Sequence, residues 1–209
     1  MGGASAAEGR IIAGKVRKIF AEVERLLNRH DPKSEINSLS GLSDSEVLLK
    51  ATALVRPCYE AAFRMRDATQ GAFDPRWRGT NTLDLGAIAK GYALDLAAAA
   101  IDKPCLIDLG GNLKSVDSEW RCAIAFSGER IVLKPGMAIA TSAEYFRGRH
   151  IYDARTKKAV SGDGASVSVL HPNSAMSADA LSTVLFILGR SKGEKFIREN
   201  HPSAVSFWL

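Results

Sequence analysis

The sequence predicts an α+β fold, mixed helices with a largely antiparallel sheet, from three observations. Apolar residues recur at helical spacing through the first half, short apolar runs fill most of the second half, and Gly, Pro, Asp and Ser break those runs into strand lengths. A doubly wound sheet would instead alternate strands and helices along the whole chain. In order, Ile12, Val16, Ile19, Phe20, Val23, Leu26 and Leu27 mark one face of an amphipathic helix over about 13–28, expected to pack on a sheet. Ser43 and Glu46 have capping-box spacing, and Val47, Leu48, Ala51, Leu54, Val55, Cys58, Ala62 and Met65 continue one face of a second helix. Pro57 lies inside that run and is expected to kink or split it, since proline removes a backbone bond and crowds the preceding turn. A third helix follows Gly86. Residues 104–109 then read as a buried strand ending at Gly110 and Gly111, with further strands at 120–126, 130–133, 137–141 and 165–170 as an antiparallel meander. Residues 179–188 and 192–199 read as a fourth and a fifth helix, and 204–209 as a final strand.

At 209 residues the chain suits one domain over 1–209, without repeats, low-complexity tracts or an evident linker. A net charge of +5 fits an anionic small-molecule substrate, but the basic residues are scattered among 23 acidic ones and the aromatics do not interleave with a basic stripe. A nucleic-acid partner is therefore not expected. Cys58, Cys105 and Cys122 are odd in number and widely spaced, which argues against a disulfide framework or a zinc site and for buried thiols. No apolar run is long enough for a transmembrane segment and the start lacks signal-peptide regions, so a cytoplasmic protein is expected.

Four segments carry residues suited to chemistry. Leu83 to Asp95, LDLGAIAKGYALD, reads as a strand end, a turn at Gly86 and an alanine-rich helix, with Lys90 one turn in. Unpaired N–H groups, a positive dipole end and a lysine suit a phosphate, and an ordinary strand, turn and helix explains the same residues equally well. Asp179 and Thr183, one helical turn apart, project oxygens from one face, as hard ligands for magnesium must. The plainer reading is an acidic residue on the helix dipole and a threonine bonded to its own turn. GAFD, Gly71 to Asp74, is by itself a turn followed by a packed Phe. His150 is one of four histidines, any of which could accept a proton near neutral pH.

LDLGAIAKGYALD resembles the signature of the ApbE family, the FAD:protein FMN transferases. SEINSL (Ser34 to Leu39), GAFD, LIDLGGNL (Leu106 to Leu113), HIYDART (His150 to Thr156) and SAMSADALSTVLFILG (Ser174 to Gly189) follow the family's order over nearly the whole chain. The resemblance implies an ApbE-like, T-fold-like α+β domain that moves FMN from FAD onto a Thr or Ser hydroxyl of an acceptor protein, releasing AMP. It implies Mg²⁺ as cofactor and FAD as substrate. Asp179 and Thr183 fall on its side-chain metal ligands and Ala87 on a backbone-oxygen ligand. Asp84, Lys90, Ala72, Phe73 and Asp74 fall on FAD contacts, and His150 on the candidate general base. Asp153 and Arg155 have either a direct role or a structural ion pair.

This chain departs from the family pattern at several places. Asn112 stands where the family has an acid after two glycines, and Met1 and Gly2 are followed by Gly3 where the family has Thr. His30 takes the place of an aromatic near the flavin. Between GAFD and LDLGAIAK only Pro75 to Thr82 remain, where the family has several tens of residues more. The same residues acting with water would make an FAD pyrophosphatase, and the shortened segment motivates a third alternative, an FAD-binding module without turnover.

Overall fold

The computed structural model describes residues 6–125, 127–144, 150–160 and 166–209. Met1 to Gly3, Phe126 and Ala165, all assigned above, lie outside the described residues.

The predicted α+β architecture is present. Its first helix, α1 (Ala6–Leu27), starts earlier than the apolar stripe because the first turns are exposed and need no apolar face. Its stripe packs mainly on a helix rather than on a sheet: Ile12, Val16, Ile19 and Phe20 meet Leu94 and Ala97, reaching the sheet at Ile107. A short helix α2 (Glu35–Leu39) is capped by Ser34. The predicted second helix is split into α3 (Asp44–Lys50), opened by the Ser43–Glu46 capping box, and α4 (Arg56–Ala68). Pro57 sits in the first turn of α4, where its missing N–H would be unpaired anyway, so the proline starts a helix instead of kinking one.

Helix α5 (Ala89–Ala99) follows the Gly86 turn and precedes a hairpin of β1 (Cys105–Leu109) and β2 (Asn112–Val116). Gly110 and Gly111 both have positive φ, +62° and +90°, which a two-residue type I′ turn demands at its central residues. Strand β2 was not predicted, because NLKSV buries a lysine and a serine and lacks an apolar alternation. The strands β3 (Trp120–Ala123) and β4 (Arg130–Leu133) pair only with each other. Strand β5 (Ala138–Ala143), the short β6 (Tyr152–Asp153) and β7 (Lys158–Ala159), β8 (Ser166–His171), helix α6 (Ala175–Asn200) and β9 (Val205–Trp208) complete the chain. The two helices predicted near the end are both present within α6 and meet at a kink at Gly189, whose φ of +70° and ψ of 167° are not helical.

The main sheet has the order β1-β2-β5-β8-β9, antiparallel throughout. It is not a simple meander, since the β3–β4 hairpin, the β6–β7 pair and α6 are all inserted between sheet neighbours. Alternation sorts the faces: Ile107, Ala138, Val167 and Val169 turn towards α5 and α6. Leu106, Leu113, Ile139 and Leu170 meet Ile131 and Leu133 of the hairpin on the other face. Of the cysteines only Cys58 is buried; Cys105 and Cys122 are partly exposed on strands at the edge or outside of the main sheet.

Candidate functional site

The site is built on the crossing of α5 and α6. Gly91 lets them touch: a Cβ there would stand 2.1 Å from the Ala175 carbonyl oxygen and 2.7 Å from the Met176 Cα. Asp95, one turn further along α5, accepts from the Ser174 hydroxyl (3.0 Å) and from the backbone N–H of Ala175 (2.8 Å) and Met176 (3.0 Å). It thus holds the start of α6, where free N–H groups and the positive dipole end favour a carboxylate. Lys114 of β2, almost fully buried, pairs with Asp95 at 3.2 Å.

This contact fixes Asp179. Helix α6 begins at Ala175, so Asp179 lies in its second turn, beyond the dipole-facing position that the plainer sequence reading gave it. Its carboxylate is 3% exposed and accepts from Gly91 N–H at 2.9 Å and Asn112 Nδ2 at 2.8 Å. Asn112 in turn lies 3.5 Å from Lys90 Nζ through its Oδ1. Burial pushes the Asp179 carboxyl above the usual carboxylate range, and Lys90, Gly91 N–H and Asn112 pull against that rise. The Thr183 hydroxyl reaches across to Ser142 Oγ of β5 at 3.1 Å.

Asp179, Thr183, Lys90, Ala87, Asp84, Phe73, Asp74, His30 and His150 all line one cleft of about 1160 Å³. Ala72 does not: it is buried, and its carbonyl accepts from Ala154 N–H, tying GAFD to the HIYDART segment. Phe73 is both core and lining, as the plain reading of GAFD has it. His30 is exposed on a turn held by Asn37, whose amide donates to the carbonyls of Arg29 and Asp31. His150 is exposed at the cleft. Asp153 and Arg155 form an ion pair at 2.6 Å, and the guanidinium holds the Asp153 carboxyl below its ordinary range. That is the structural alternative, a loop clamp.

Asp84 is not an open acceptor. Its carboxylate pairs with Arg29 at 3.0 Å and lies 3.5 Å from Arg78, while accepting from Trp77 Nε1 at 3.3 Å and Gly86 N–H at 3.0 Å. The abbreviated segment 75–82 folds into turns that close this side of the cleft, anchored by Arg76 on Asp44 and on the carbonyls of Leu42 and Thr80. Sequence reasoning missed Asp95, Ser142, Trp77 and Tyr152, and gave Asn112 only a turn. Asp95 was within the quoted motif, but its partner lies about eighty positions away.

No group of three or more His, Cys, Asp and Glu that could hold a metal is present among the described residues. A cation here would meet one carboxylate, hydroxyls and a carbonyl. Each Asp179 oxygen uses one lone pair on a protein donor and keeps another. Such a sparse, hard set suits magnesium, which takes one or two carboxylates and completes its shell from phosphate and water.

Residues 76–207 match the model of the ApbE family. The chain belongs to the ApbE family. Among curated ApbE relatives, the FAD:protein FMN transferase of Rhodobacter capsulatus is 38% identical over 128 residues, covering 51% of this chain and 24% of that protein. That of Haemophilus influenzae is 30% identical over 143 residues, covering 57% of this chain and 41% of that protein. The matched regions thus span well under half of those relatives. The fold agrees with solved ApbE structures: the apo flavinyl transferase ApbE of Pseudomonas stutzeri superposes with a TM-score of 0.79 at 22% identity, covering 100% of this chain and 84% of that one. The flavin transferase ApbE of Vibrio cholerae gives 0.78 at 20% identity, covering 98% and 85%.

Proposed function

We propose that this chain is a Mg²⁺-dependent FAD:protein FMN transferase acting on a Thr or Ser hydroxyl of an acceptor protein. The observation that carries the reading is the convergence of Lys90, Asp179 and Thr183, from two helices, in the cleft that also holds His150. The names of the curated relatives supply the substrate class.

In this reading Asp179, Thr183 and the Ala87 carbonyl hold the magnesium ion. When bound, the ion would offset pyrophosphate charge and make AMP a better leaving group. Lys90 does the same from the protein side and keeps the diphosphate in line. His150 accepts the proton of the acceptor hydroxyl. The hydroxyl oxygen bonds to the FMN phosphorus, the P–O bond to AMP breaks, and AMP leaves with that electron pair. Positioning and electrostatics suffice, without a covalent enzyme intermediate.

Incubation with FAD, Mg²⁺ and peptides bearing a candidate acceptor Thr or Ser should give one FMN adduct by mass spectrometry and one equivalent of AMP. AMP release that is independent of acceptor would make the protein a pyrophosphatase. FAD binding without AMP release, indifferent to Mg²⁺, would make it a binding module. Absence of adduct and AMP with every acceptor tried overturns the transferase reading.

A further inference from the structure

One part of the cleft wall has no task in that reaction. Trp77 and Tyr152 stack with ring centroids 4.7 Å apart and planes 17° from parallel, and the Arg78 guanidinium carbon lies 4.1 Å from the Trp77 ring centroid. Tyr152 and Arg78 thus both pack on the indole, and all three residues line the cleft.

Neither aromatic belongs to the apolar clusters of the core, and both are only half-buried. The stack is nevertheless held firmly. Asp84 accepts from the indole N–H, lies within ion-pair distance of Arg78, and is itself fixed by Arg29. Ordering a half-buried Trp and an exposed Arg this way costs side-chain entropy that a surface turn has no structural reason to spend. A rigid π-face backed by a cation is what a flat heteroaromatic ring binds.

We propose that the Arg78–Trp77–Tyr152 stack is the ring-binding wall of the cleft, taking a planar heteroaromatic ring of the dinucleotide. Asp84 then serves as a positioning residue that holds the stack. The inference rests on the FAD reading and deepens it. A dinucleotide whose diphosphate lies at Lys90 extends a ring to either side, isoalloxazine or adenine, and both stack by the same chemistry. The small, exposed His30 leaves the larger stacking area to this pair.

The test is equilibrium binding of FAD, FMN and ADP, each with Mg²⁺, to the whole chain and to Trp77→Leu, Trp77→Phe, Tyr152→Leu and Lys90→Ala, with circular dichroism reporting the fold. Trp77→Leu and Tyr152→Leu should weaken FAD about ten- to a hundredfold, the range of aromatic–base stacking, and Trp77→Phe should recover most of the loss. A parallel loss for FMN but not ADP assigns the isoalloxazine to the stack; a loss for ADP but not FMN assigns the adenine. Tyr152→Leu leaves the Asp84 clamp intact, so it carries the comparison should Trp77→Leu not fold. The proposal is overturned, with the FAD reading intact, if both Leu variants bind FAD as wild type does while Lys90→Ala does not. Wild-type protein that binds no FAD overturns both.

Discussion

Asp179 is the residue on which the site turns, and its environment sets two opposing demands. Two hydrogen bonds and Lys90 favour its ionised form, while near-complete burial disfavours it and prevails. The sign of the pH effect follows. With the folded pKa above the unfolded one, the native state binds the extra proton, so this group's stabilisation is full below about pH 4 and falls as pH rises towards the folded value. Asp179→Ala should therefore gain on wild type in metal-free thermal stability as pH rises, while losing Mg²⁺ dependence and at least about a hundredfold in turnover. Wild-type turnover in that variant would remove Asp179 from the site. The sequence made this carboxylate visible through its spacing to Thr183 but gave it a dipole role as the alternative. Only the observed start of α6, four residues earlier, places it beyond the first turn.

At the scale of elements, the α5–α6 crossing does what neither helix could do alone. Gly91 supplies the close approach, and Asp95 occupies the N-terminal end of α6 with three hydrogen bonds, so Lys90, Gly91 and Asp95 all face or touch the partner helix. Gly91→Ala should force backbone against backbone. A cost of at least about 3 kcal/mol, or roughly 6–12 °C in Tm, is expected, with lost activity because the shift moves Lys90 away from Asp179. Calorimetry with a parallel activity assay checks both. The two-glycine turn between β1 and β2 has a comparable effect: it sets the register that brings Asn112 opposite Leu109 and within reach of Asp179. The glycines were legible as a turn. The strand after them was not, because a buried Lys114 pairing with Asp95 across elements breaks the apolar pattern a strand is recognised by.

For the whole molecule, the cleft is an assembly of segments far apart in the chain: the turn after α1, the 75–82 turns, the start of α5, the β1–β2 turn, β5, the HIYDART segment and α6. A ligand bridging them should tighten the fold as one unit. FAD with Mg²⁺ at about a hundredfold excess over Kd should add about 2.7 kcal/mol, roughly 5–11 °C in Tm, and neither component alone should reach that. Thermal shift in wild type and Asp179→Ala separates the two contributions. By itself the sequence determined the α+β class, most helices, the order of the family motifs, and Lys90, Asp179, Thr183 and His150 as the residues to watch. The class and the helices depend on local periodicity and the four residues on the resemblance to the family's motifs, both of which a linear text carries. Tertiary structure alone decided that Asp84 is spent on Arg29, Arg78 and Trp77, that Asp153 and Arg155 clamp each other, and that Ala72 is walled off in the core. It also showed that Trp77 of the abbreviated segment stacks on Tyr152 at the cleft. Those facts depend on which distant groups share a carboxylate or a ring face, and only the folded chain brings them together.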